Sequence, residues 1–248
     1  MKINFCFVLT ALILIFYILK PNDPVINPRC VNLFWTGGFD STFRLLQLVL
    51  IEKKCVAPIY LNFPELDGLN IRRQNAQFEI KTIQRIISEL NRLGVGYRIM
   101  PLKVITKITL SPEVFESMQI LYYDGFLKRA ISQYAHMVQY SLDKNIIIEE
   151  GAENSPHSTS NKMVKPYLNS DGLLDLEKIA GTPLMVIRNL KFPIIHLTKK
   201  EMLEIAKKHK FEYILQWTKS CWWPSSTGKP CLKCIMCKDR IIPEGFSI

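Results

Sequence analysis

Residues 34–43 read FWTGGFDSTF, two glycines, an acid and hydroxyl side chains set between an apolar run and a helical one. Ahead of them CVNLFW (30–35) has the look of a short, almost wholly apolar strand, and behind them STFRLLQLVLIEKK (41–54) is long and apolar enough for a buried helix. A strand that turns on small residues into a helix is where α/β proteins bind phosphate. Glycines let the backbone come close, and the first helical N–H groups lack partners.

Working outward, strand-like and helix-like stretches alternate. CVAPIYLNF (55–63) reads as a second strand. QNAQFEIKTIQRIISELNRLG (74–94) places Ala76, Ile80, Ile83, Ile87 and Leu90 on one helical side, with Gly94 as a stop. YRIMPL (97–102) supplies a third strand, GFLKRAISQYAHMVQYSLDKN (125–145) another helix and IIIEE (146–150) a fourth strand. This order predicts an α/β fold, a parallel sheet with right-handed crossovers and helices on both faces. Residues 151–190 lose the pattern and read as a functional loop or lid holding one short helix. Regularity returns at FPIIHLTKKEMLEIAKKHK (192–210), where Thr198 and Glu201 form a capping box ahead of an amphipathic helix.

The loop itself fits neither Gly-x-x-x-x-Gly-Lys-Ser/Thr nor Gly-x-Gly-x-x-Gly, so a Walker loop and a dinucleotide fold are both unsupported. In TGGFDST, Gly37 and Gly38 free backbone N–H groups for phosphate oxygens, Thr36, Ser41 and Thr42 add hydroxyl donors, and the helix dipole adds partial positive charge. Asp40 would repel phosphate unless it holds Mg2+ or caps the helix. The competing reading is a tight turn with Asp40 as its N-cap.

The C-terminal stretch WTKSCWWPSSTGKPCLKCIMCKDRI (217–241) carries Cys221, Cys231, Cys234 and Cys237. Three thiols at intervals of three, with a fourth from the preceding loop, suit a tetrahedral Zn2+ site; an iron–sulfur cluster and paired disulfides are the alternatives. Seven cysteines in all, four of them crowded at one end, make a poor disulfide framework and point to a reducing compartment.

Ile3 to Leu19 is an uncharged run between Lys2 and Lys20, about the minimum length for a spanning helix. It reads as a membrane anchor, with a signal peptide or a buried helix as alternatives, and KPNDPVINP (20–28) as a linker. The expected organisation is an anchor over 1–20, a linker over 21–28, an ATP-binding domain over 29–195, and a C-terminal helix and cysteine lobe over 196–248. The 248-residue chain, 48% hydrophobic, can bury a full core, and its net charge of +10 favours a polyanionic partner without specifying a reaction.

Three blocks together, TGGFDST, PIIHLTKKEM (193–202) and TKSCWW…PCLKCIMCKDR (218–240), resemble the 7-cyano-7-deazaguanine synthase family of the PP-loop ATP pyrophosphatases, over roughly residues 30 to 241. The resemblance implies an adenine nucleotide α-hydrolase-like, Rossmann-type fold. It implies ATP contacts from Thr36, Gly37, Gly38, Asp40, Ser41 and Thr42, with Asp40, Ser41 and Lys199 at the reaction centre. It also makes Cys221, Cys231, Cys234 and Cys237 zinc ligands. Lys199 either meets a phosphate or is an exposed lysine in a first helical turn. Arg72, Arg73 and Glu79 are weaker matches, and His136 and His157 read as packing or surface residues.

The family reaction uses ATP, Mg2+ and ammonia to turn 7-carboxy-7-deazaguanine into an amide and then a nitrile, releasing AMP and pyrophosphate. GAENSPHSTSNKMV (151–164) departs from the family's Asp-, Tyr-, Pro- and Arg-rich stretch, so another carboxylate is an open choice of substrate. Expected partners are ATP, a small acid and an ammonia donor, with a homodimer as one possible assembly and no stable nucleic-acid binding. The domain is expected in the cytoplasm, membrane-anchored or free. Two competing functions are PP-loop modification of tRNA and an inactive, membrane-tethered nucleotide-binding protein.

Overall fold

The computed structural model describes residues 29–62, 65–66, 71–72, 75–125, 133–155 and 158–240. Five strands form one parallel sheet: β1 (Val31–Phe34), β2 (Val56–Leu61), β5 (Lys103–Ile105), β6 (Ile148–Glu149) and β7 (Leu190–Lys191), in the order β5-β2-β1-β6-β7. A separate antiparallel pair joins β3 (Glu65–Leu66) to β4 (Ile71–Arg72). This is the parallel α/β sheet that the alternation predicts, in the Rossmann-like form that the resemblance implies. Strand order reverses at β1, which has β2 on one side and β6 on the other, so the loops leaving β1 and β6 diverge and open a crevice at the carboxyl ends.

Alternate residues of the central strands feed two cores. Leu33, Trp35 and Tyr60 pack with α1 (Phe39–Leu46) and α2 (Ala76–Arg92), through Phe39, Phe43, Ile83 and Ile86. Phe34, Ile59 and Leu61 pack on the opposite face with α3 (Pro112–Tyr123) and α4 (Gln133–Lys144), through Val114, Met118 and Val138. The period of two along a strand is what divides them. Met202 and Ala206 of α7 (Lys199–Lys208) and Ile214 of α8 (Glu212–Leu215) join the first core.

α1 runs into a π turn over Gln47–Ile51. Its Arg44 is buried because Glu149 of β6 receives its Nε–H at 2.7 Å, while Gln47 and Glu52 take Nη1. Burial works against the guanidinium's charge, but Glu149 and Glu52 outweigh it and hold the group charged. The pair fastens the helix behind the loop to the neighbouring strand.

Three expectations are corrected. The third strand is Lys103–Ile105 rather than 97–102, where Gly96–Arg98 form a 3-10 turn and Ile99 makes a single bridge to Val56. Residues 151–190 hold more than one short helix: α5 (Thr159–Val164), α6 (Leu176–Ile179), 3-10 turns at Lys165–Tyr167 and Pro183–Ile187, and the start of β7. The cysteines are not all unpaired, since Cys30 and Cys55 form a disulfide across the start of β1 and β2, where the Val31–Val56 register brings their Cα atoms to 4.5 Å. The anchor segment Ile3–Leu19 and the linker 21–28 lie outside the described residues, among which no helix is long and apolar enough to cross a membrane.

Candidate functional site

The loop after β1 is braced from beneath. Trp35, fully buried, donates Nε1–H to Thr42 Oγ1 at 3.0 Å, so Thr42 is itself fully buried under the loop rather than beside its other hydroxyls. Gly37 has φ +72°, and a Cβ there would stand 3.0 Å from the Glu79 carbonyl oxygen. The loop therefore lies directly on the first turn of α2, as only glycine allows. Glu79, expected as a weak site match, is buried; its carboxylate accepts from Tyr60 Oη at 2.7 Å and Asn75 Nδ2 at 2.8 Å, and so steadies this support.

Above, Thr36 Oγ1 accepts from Gly38 N–H at 3.2 Å and lies 3.2 Å from Ser41 Oγ, which accepts from Thr36 N–H at 3.3 Å. Two hydroxyls and the first amides of α1 converge here. Gly38 is the N-cap of α1 and no side chain caps the helix, so Asp40 is not the cap but a first-turn residue. Its carboxylate instead faces Lys199 Nζ at 3.4 Å.

Lys199 opens α7 behind the Thr198–Glu201 capping box, which is present as predicted. Its side chain is 11% exposed, so the exposed-lysine reading fails. It also pairs with Glu153, a residue the sequence reading passed over. Glu153 follows β6 by way of Glu150, Gly151 and Ala152. Asp40, Glu153 and Lys199 thus meet from the ends of β1, β6 and the segment after β7, at the crevice where the strand order reverses. Burial, reinforced by the Asp40 charge and opposed by Lys199, pushes the Glu153 carboxyl up to about 8.

A carboxyl raised from 4.5 stabilises the fold in its protonated form. That contribution is complete below about 4.5 and is lost as pH rises through about 8, because over this window the unfolded chain has released a proton that the folded chain keeps. The urea midpoint is expected to fall across this window, and Glu153→Gln to flatten the slope. An unchanged slope in the variant would remove Glu153 as its source.

The four cysteines converge independently. Their sulfurs all lie within 4.8 Å of one another, an arrangement that could hold a metal ion. Cys221 Sγ accepts from Cys231 N–H at 3.2 Å, and Cys231 Sγ from Cys234 N–H at 3.3 Å. Backbone N–H groups of Lys233 and Cys234 hold the Cys231 thiol down at about 6, while burial pushes Cys221 and Cys237 up. The knuckle touches the loop: Lys219 N–H donates to the Gly37 carbonyl at 3.2 Å.

Residues 179–247 match the family model described as QueC, queuosine biosynthesis protein QueC. This C-terminal part of the chain is QueC-like. The match takes in Lys199, the four cysteines and Arg240, and it ends short of the loop at 36–42. Among solved structures, NMN synthetase from Francisella tularensis is similar at 15% identity and a TM-score of 0.35, covering 75% of this chain. The chain spans 64% of the length of that synthetase. Comparison with curated proteins finds no match.

Other expected residues stand elsewhere. His136 is half-buried on α4, Arg72 belongs to β4, and Arg73 and His157 lie outside the described residues. Gly151 and Glu153 were missed. Their signal was position: the first residues beyond a parallel strand at the switch point face the same crevice as the loop after β1.

Proposed function

We propose that this QueC-like chain is an ATP-dependent ligase that adenylates a carboxylate, 7-carboxy-7-deazaguanine or a related acid, and then aminates it. The observation that carries this reading is the meeting of the glycine loop with Lys199 and Asp40 beside the cysteine knuckle. Gly37, Gly38, Thr36 and Ser41 cradle the phosphates at the start of α1. Lys199, nearly buried and aimed at the same place, offsets charge that builds on the phosphates as an acid oxygen bonds to the α-phosphorus and the bond to the β-phosphate oxygen breaks. Ammonia then adds at the acyl carbon, AMP leaves and a proton is released. A second adenylation, on the amide oxygen, followed by loss of AMP and protons, gives the nitrile.

Positioning and charge do this work, and no nucleophilic side chain is needed. Asp40 Oδ1 is buried without a hydrogen bond, 3.4 Å from the Lys199 ammonium and close to the Glu153 carboxyl, so the acids here offer oxygen donors that a hard cation such as Mg2+ would fit, neutralising phosphate charge. The cysteine set, with four soft donors and no oxygen ligand, fits Zn2+ in a closed structural site. The N-terminal apolar segment would anchor the chain with this domain on the cytosolic side, where ATP is available; with Cys30 and Cys55 paired, reduced cysteines no longer support that side.

The test is product analysis. With ATP, the acid and ammonium, the expected products are AMP and pyrophosphate, and Lys199→Met is expected to lower turnover about 100-fold. ADP and phosphate would refute the reading. Turnover that depends on tRNA rather than a small acid would favour the RNA-modifying alternative.

A further inference from the structure

A cavity between the start of α2 and the cysteine knuckle has no part in the chemistry above. It holds about 40 Å3, room for a group of a few atoms rather than a whole nucleotide. Asn75, Thr218, Lys219, Ser220 and Arg240 supply its polar wall. Two cations line it and no carboxylate does, while Cys221 and Cys237 close its side toward the knuckle.

Arg240, the last residue of α9 (Ile235–Arg240), is only 8% exposed. It donates from Nη1 to the Thr218 carbonyl, its Nε–H is buried with no partner, and among the described residues no carboxylate lies within ion-pair distance. Burial works against its charge, and Asp40 and the Cys237 thiol support it only from beyond ion-pair distance, so a bound anion would complete its pairing. The cavity also adjoins the phosphate loop. A Cβ on Gly38 would stand 3.8 Å from the Lys219 carbonyl and 4.0 Å from Ser220 Oγ.

We infer that this cavity is the seat of the acid substrate's carboxylate, with Arg240 and Lys219 as its counter-ions and the Ser220 hydroxyl as a further donor. This rests on the ligase reading above and adds the subsite. Arg240 offers planar, paired donors that match a carboxylate's two oxygens. A carboxylate held there sits beside Gly38, where the α-phosphate must approach, so the nucleophile is aligned by the same knuckle that supports the loop.

Two measurements on the full, zinc-loaded chain test this. In crystals soaked in sodium bromide, an anomalous peak is expected in the cavity of the wild type and none in Arg240→Gln. In steady-state assays with 7-carboxy-7-deazaguanine, Arg240→Gln is expected to raise the acid's KM about tenfold or more, while the KM for ATP and the zinc content stay unchanged. Lys219→Gln, at an exposed position, should act in the same direction and more weakly; it stands in if Arg240→Gln does not fold. Absence of bromide from the wild-type cavity, or its presence in both forms, overturns the inference. A rise in the KM for ATP alone would give the cavity to a nucleotide phosphate and overturn it too. Bromide binding that depends on Arg240, in a chain that forms no AMP from the acid, would keep the anion site and remove the ligase reading.

Discussion

Gly151→Ala is expected to abolish ATP binding and to destabilise the fold by about 1–3 kcal/mol. A Cβ at residue 151 would stand 2.7 Å from both Cα and N of Ser41 and 2.9 Å from the Asp40 carbonyl carbon. These are backbone atoms in the first turn of α1, so no side chain can swing aside. Either the end of β6 moves outward, carrying Glu153 from Lys199, or α1 retreats and takes its amides out of reach of phosphate. Gly181→Ala supplies the contrast. It has φ +72° but nothing within 4 Å of its would-be Cβ, so it should cost about 1 kcal/mol in backbone strain and leave ATP binding alone. Urea unfolding and calorimetric titration with Mg-ATP read both effects; wild-type affinity in Gly151→Ala would mean that the β6–α1 contact does not shape the site.

Much of this frame can be read from local pattern. β1, β2 and α2 each pack on the core in their own period, and the Thr198–Glu201 capping box is a four-residue signal complete in itself. β5 escapes such reading because it is an edge strand, paired with β2 alone, and its Val104 is 45% exposed. At three residues, Lys103–Ile105 is too short for its alternation to show as a period, and the more apolar 97–102 stands out instead. α3 did carry a signal, Ser111 as N-cap and Pro112 at the first helical position, in a stretch whose mixed composition hid its apolar side.

The site divides on the same line. Glycines and hydroxyls at 36–42 are contiguous and announce a phosphate loop, whereas the partners of Asp40 come from residues 153 and 199, more than a hundred positions away. Sequence left Asp40 as metal ligand or cap, and Lys199 as phosphate contact or surface residue. The other residue removes one alternative in each case: a carboxylate turned toward Lys199 is no cap, and a lysine wedged between two carboxylates is no surface group. The Cys30–Cys55 pair is similar in kind, since only the parallel register of β1 on β2 makes neighbours of residues 25 apart in sequence.

Removing the metal expected at the cysteine knuckle should weaken ATP binding as well as stability, although no cysteine lies in the phosphate loop. Purified chain is expected to carry one zinc, and Cys234→Ser or a strong chelator to release it. Binding free energy at such a site is folding free energy, on the order of 10 kcal/mol for small zinc modules, so the knuckle and α9 should lose their structure when it leaves. Two contacts then go with them: the Lys219 amide donated to the Gly37 carbonyl, and the Arg240 guanidinium donated to Thr218. Gly37 is left held only from the α2 side, and its left-handed turn is no longer fixed from above. The rest of the sheet should survive, because β1, β2 and α7 share a core that includes none of the four cysteines. Metal analysis, far-UV circular dichroism and Mg-ATP titration on the same samples separate the outcomes. Iron with acid-labile sulfide would replace zinc by a cluster, and full ATP affinity in the metal-free chain would show that the knuckle does not support the loop.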